Sequence, residues 1–113
     1  MDQKLKLIIS FIIPSLLFII ISIPLVLNKI PRNCFYGFRT KKTVASDEIW
    51  YKANRWAGLS FLAAALTSLI GCAFLSCDKD KLSFDALNSI GFGFFIVPII
   101  VAVLSSFIYL RKL

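Results

Sequence analysis

The chain has 113 residues, room for one domain, and 58% of them are hydrophobic against 17% charged, too apolar a balance for a soluble domain of this length. A net charge of +7 would point a soluble protein toward nucleic acid; here a lipid bilayer is the expected solvent and partner, and no nucleic-acid partner is expected. With no histidine, and three cysteines that form no Cys-x-x-Cys pair, the common zinc and haem arrangements lack their ligands, so no metal and no cofactor is expected.

The first run free of Asp, Glu, Lys and Arg is 7–28, with 22 residues. About 20 residues at about 1.5 Å each cover a hydrocarbon core of about 30 Å, and inside lipid the backbone must satisfy its own hydrogen bonds, so this run is predicted to be a spanning helix. A cleavable leader is the competing reading, because Lys4 and Lys6 precede it. A leader's apolar region is only about 7–15 residues, so the segment is expected to stay in the mature protein. Pro14 and Pro24 fall inside it. Spanning helices tolerate proline where neighbours re-satisfy the backbone, and a hinge at Pro14 is the alternative.

Residues 29–56 differ in composition from everything around them. Up to Ala45 the pattern is irregular, with Pro31 and Gly37 as breakers and a turn predicted near Gly37. From Ser46 the signals agree on a helix starting at about Asp47. Ser46 is a good N-cap, Asp47 and Glu48 suit the positive end of the helix dipole, and Glu48 stands four residues before Lys52. Ile49, Trp50, Ala53, Trp56 and Ala57 gather on one side of it, as in a short amphipathic helix at a bilayer surface, and it is predicted to run into the second span near Gly58.

Tryptophan concentrates at headgroup depth, which makes Trp56 an interfacial anchor; Trp50 divides between that role and a part in a site. Lys41 and Lys42 read as topology signals in contact with anionic lipid. Arg39 follows an aromatic turn, Phe35-Tyr36-Gly37-Phe38, and two roles are open to it. It can hold a carboxylate or phosphate of a partner through its planar fork, or pair with Asp47 or Glu48 and brace the loop.

The second span, 57–77, carries Ser60, Ala64, Ser68 and Cys72 in one column, and the third, 86–110, offers Ser89 with Gly93 and Ala102 with Ser106. Small residues let helix backbones approach in lipid, so the second helix is expected at the centre of the bundle, and a homodimer is admitted because three helices bury little. Gly91-Phe92-Gly93-Phe94 has no strand before it and reads as packing, not as a phosphate loop. No ionisable residue lies in the three runs, which disfavours a pump or a conducting channel. The fold predicted is an all-α membrane protein, one three-helix domain over residues 1–113.

Nine of the thirteen Lys and Arg lie in 29–56 and at the C-terminus, against four at the N-terminus and the turn between the last two spans. Basic residues in short loops stay inside, so the N-terminus is expected outside and the long loop and C-terminus in the cytoplasm.

Pro31, Asn33, Gly37-Phe38-Arg39-Thr40, Thr43, Ser46-Asp47-Glu48, Trp50, Lys52, Asn54, Arg55 and Gly58 together resemble the signature of the SdpI family of bacterial membrane proteins. Lys42 stands where that family often has an aromatic residue, and Asn54 where it often has His. The resemblance implies a protein of the bacterial inner membrane that confers immunity to a secreted, membrane-active peptide toxin, and implies binding residues at Asn33, Gly37, Arg39, Thr40, Trp50, Lys52 and Arg55. A second reading makes the chain a signalling or scaffold subunit that recruits a cytoplasmic regulator or anionic lipid through its basic loop. An interfacial enzyme is not expected, because Asp47 and Glu48 are the only acids on that face and both serve the helix start.

Overall fold

A computed structural model describes residues 2–113. Three long helices, α1 (Gln3–Val26), α2 (Asp47–Cys77) and α3 (Phe84–Arg111), make an elongated bundle of 51 × 23 × 18 Å, and the described residues contain no strand. All three are long and apolar enough to cross a membrane. The expected surface helix and the second span are one element: α2 runs unbroken for 31 residues.

The helix ends follow from local chemistry. Asp2, Ser46 and Ser83 cap α1, α2 and α3, their side-chain oxygens accepting from the N–H groups of Lys4, Ile49 and Ala86 at 3.1–3.2 Å. At its other end α1 closes in a Schellman motif. Asn28 takes the left-handed conformation (φ 56°), its N–H bonds Leu25 O, and the Lys29 N–H reaches back to Pro24 O at 3.0 Å. Pro14 and Pro24 both lie within α1 without ending it.

Helix α2 sits between the other two, and the small-residue column is why it fits. Ala64, Ser68 and Cys72 are buried, and the Ser15 and Ser68 hydroxyl oxygens lie 2.9 Å apart in a hydrogen bond between α1 and α2. Gly58 brings the same helices together higher up, where an added Cβ would stand 3.0 Å from Leu25 Cβ and 3.1 Å from Ser22 O. On α3, Ala102 and Ser106 are buried as expected, but the other expected pair is not: Ser89 is exposed and nothing lies within 4 Å of a Cβ at Gly93. Gly91 takes the packing role, since a Cβ there would meet the Phe11 ring at 2.6 Å. Two residues along a helix is more than half a turn, so Gly91 and Gly93 face opposite ways.

This difference makes a sharp comparison. Gly91→Ala is expected to destabilise the purified protein by about 1–3 kcal/mol through overpacking against Phe11. Gly93→Ala should be neutral or slightly stabilising, because alanine is the better helix former. Melting temperatures in detergent report both; equal shifts would remove Gly91 from the α1–α3 contact.

The bundle has two chemically distinct ends. At one, Lys79 in the α2–α3 turn pairs with Asp2 at 3.2 Å, and the Lys4 N–H together with Lys79 holds the Asp2 carboxyl below the usual carboxylate range. At the other, the long α1–α2 loop meets the end of α3, where Lys42 Nζ donates to Leu110 O at 2.8 Å.

Candidate functional site

The loop between α1 and α2 is irregular, yet it is bonded to all three helices. Its floor is Trp50, in the first turns of α2 and wholly buried, whose indole N–H donates to Ile30 O at 2.8 Å. One turn on, the buried Asn54 side chain treats the loop backbone as a neighbouring strand would. Its Oδ1 accepts from the Phe38 N–H at 2.5 Å, and its Nδ2 donates to Phe38 O at 3.3 Å and to Trp50 O at 2.9 Å. A buried amide with every polar atom engaged fixes both partners, because leaving one of them unpaired is costly.

Gly37 is what lets the chain lie this close. It adopts φ +110°, and a Cβ there would stand 2.6 Å from Asn54 Oδ1 and 3.3 Å from the Trp50 ring. Asn33 builds the turn that leads in, with Oδ1 accepting from the Phe35 and Tyr36 N–H groups at 2.8 and 2.6 Å and Nδ2 donating to Pro31 O at 2.8 Å. The Tyr36 hydroxyl donates to Ile21 O of α1, and burial pushes that phenol's pKa up. Phe38 meets Phe107 of α3 edge to face, ring centroids 5.1 Å apart.

Leading out of the turn, Thr40 and Thr43 cap each other. The Thr40 N–H donates to Thr43 Oγ1 at 2.6 Å and the Thr43 N–H to Thr40 Oγ1 at 3.1 Å, which starts the single 3₁₀ turn at Thr43–Ala45. Arg32 then clamps the loop to the start of α2, its Nε 2.7 Å from an Asp47 carboxylate oxygen and its Nη1 donating to Val44 O at 2.9 Å.

The seven residues named from the sequence thus fall into two sets. Asn33, Gly37, Thr40 and Trp50 shape the loop from within, and Arg39, Lys52 and Arg55 are exposed on its surroundings. Trp50 does not reach the headgroup region as an anchor, since it has no exposed surface. Arg39 does not brace the loop through Asp47 or Glu48: Arg32 holds the first and Lys52 the second, at 2.9 Å. Among the described residues Arg39 has no ion pair.

Sequence reasoning did not place Asn54, Thr43, Tyr36 or Arg32 in the site. Asn54 carried a signal, a polar residue on the apolar side of a helix, one turn from Trp50 and one from Gly58. Beneath Gly37 and Phe38 lies an apolar groove of about 280 Å³, lined also by Phe18, Ile21, Leu25 and Phe61. The arrangement is a hydrogen-bonded loop over an apolar groove, with the exposed Arg39 guanidinium next in sequence to Phe38 at its edge. Among the described residues no cluster of His, Cys, Asp and Glu could hold a metal ion.

The sequence model of the SdpI/YfhL protein family matches residues 29–109, which takes in the loop, α2 and nearly all of α3. No curated protein and no solved structure matches the chain.

Proposed function

Since the chain belongs to the SdpI/YfhL protein family, we propose that it is an immunity protein of the bacterial inner membrane, protecting the cell from a secreted, membrane-active peptide toxin by binding and not by catalysis. The observation that carries this reading is Arg39, a guanidinium without an ion-pair partner among the described residues, on a loop hydrogen-bonded to all three helices through the Tyr36 and Lys42 side chains and the Phe38 backbone. A planar fork presented from a fixed backbone suits bidentate capture of a carboxylate or phosphate.

Lysine keeps the charge and loses the fork, and an anionic lipid surface scarcely distinguishes the two. Arg39→Lys is therefore expected to abolish survival of cells challenged with culture supernatants of sibling strains, with the protein inserted at normal abundance, and Lys41→Gln is expected to leave survival unchanged. Full protection by the lysine variant would reduce the loop to a topology signal. Survival of a deletion strain equal to that of its parent would remove the immunity role itself.

The same reading puts the loop and C-terminus in the cytoplasm and the N-terminus outside, on the nine-to-four distribution of basic residues, so that Arg39 acts from the inner side, on the toxin's membrane target or on a toxin that has entered the bilayer. Cys34 is an exposed thiol in the loop and reports this directly. In intact cells carrying Cys77→Ser, which removes the other exposed thiol, an impermeant maleimide should leave Cys34 unlabelled and label an added Gln3→Cys; the reverse pattern would invert the orientation.

A further inference from the structure

Where the apolar runs of α2 and α3 end beside the loop, Trp56 and Tyr109 stack face to face, ring centroids 4.5 Å apart and 11° from parallel. The Trp56 indole N–H donates to Ser105 Oγ at 3.0 Å, which fixes the ring on α3. Two hollows share this aromatic wall. One, of about 290 Å³, is lined by Lys52, Arg55 and Leu59. The other, of about 300 Å³, is lined by Val101, Leu104 and Ile108 with Lys112.

Lys52 is committed to Glu48 at 2.9 Å, whereas Arg55 and Lys112 have no acid partner among the described residues. The site therefore has two unbalanced cations and an apolar bed on the two sides of one rigid wall. A free anion would use only the cations, and a neutral lipid only the bed. One molecule that uses both is an amphiphile with a negative head.

We propose that this wall is the binding site of one anionic phospholipid, its phosphate held by Lys112 and an acyl chain lying along Val101, Leu104 and Ile108, with Arg55 across the wall adding to the positive potential that favours an anionic head. Tryptophan and tyrosine at headgroup depth commonly anchor a helix without lipid selectivity; the uncompensated charge on both flanks is what adds preference for an anionic head. The proposal does not depend on the immunity role, which is argued on Arg39; of the binding residues implied for that role it draws only on Arg55, with Lys52 at the edge of the same hollow.

The two tryptophans make a direct assay. Trp56 is 39% exposed and Trp50 is 0% exposed, so a brominated acyl chain, which quenches at short range, reports on Trp56. The full chain is reconstituted in phosphatidylcholine bilayers containing a minor fraction of either brominated phosphatidylglycerol or brominated phosphatidylcholine. The phosphatidylglycerol should quench more strongly at equal fraction. Arg55→Gln with Lys112→Gln should remove that excess, with a loss in relative lipid affinity of about fivefold for each charge, the equivalent of roughly 1 kcal/mol per cation near an anionic lipid surface. Trp56→Phe should abolish the lipid-dependent quenching.

Equal quenching by the two lipids overturns the proposal, as does an excess that survives the double substitution or persists in Trp56→Phe. Loss of the excess on adding inorganic phosphate would assign the cations to a free anion and overturn the lipid.

Discussion

Trp50→Ala lowers the stability of the purified protein by about 3–5 kcal/mol, the range for removing a large aromatic side chain from a packed site. The expectation rests on what surrounds the indole. It has no exposed surface, Gly37 lies against its ring, and its N–H holds Ile30 O at 2.8 Å. Alanine empties the floor of the loop and orphans that carbonyl together. Trp50→Phe separates the two effects, since it keeps much of the packing and loses the bond, at a cost of about 1–3 kcal/mol if the carbonyl stays dry. Thermal denaturation in detergent measures both, and proteolysis at Arg39 or Lys41 reports loosening of the loop. A Trp50→Ala protein as stable and as protease-resistant as the parent would mean that the indole is not the floor.

The second large effect is expected at Gly37. Alanine there meets two separate obstacles, a backbone at φ +110° that non-glycine residues rarely adopt and a Cβ 2.6 Å from Asn54 Oδ1. Backbone strain of this kind costs on the order of 1–3 kcal/mol, and overpacking a fixed neighbour about the same again. Asn54→Ala removes the obstructing oxygen but not the strained dihedral, and by itself costs about 1–3 kcal/mol by unpairing the Phe38 backbone. The double variant should therefore be less unstable than the sum of the single ones, by a coupling of about 0.5–3 kcal/mol. Additive losses would place the whole cost of Gly37→Ala in the dihedral and none in the amide contact.

The parts of this fold legible in the sequence are those governed by one rule at a time. Lipid forbids charge and demands an unbroken helix, so three uncharged runs could be marked directly. Ser46 and the Glu48–Lys52 pair obey short-range helix chemistry and stand in the structure as expected. The column from Ala64 to Cys72 needed only a period of four.

The loop was less legible because its contacts depend on dihedral angles that no periodicity reveals. Which arginine would meet Asp47 turned on a path of fifteen residues from Arg32 through a positive-φ glycine, and the sequence, which left a pairing of Arg39 with Asp47 or Glu48 open, carried no sign of Arg32. Asn54 was visible as a departure from a family pattern, yet its task, holding the Phe38 backbone from both sides, exists only once Gly37 has turned the chain onto α2. On α3, composition alone could not choose between Gly91 and Gly93, since the face that meets Phe11 is set by how the helix is rotated in the bundle.

The unbroken run of α2 has a mechanical meaning. Its 31 residues amount to about 46 Å, and the stretch Asp47–Trp56, roughly 15 Å long, continues beyond the uncharged run while carrying the loop on Trp50 and Asn54. A rod of that length is a lever: pivoted at its far end, a change in tilt of about 10° sweeps the loop sideways by roughly 8 Å. Spanning helices adjust their tilt to the thickness of the bilayer around them. A tilt of the bundle along α2 would therefore carry Arg39 with the loop across the bilayer surface.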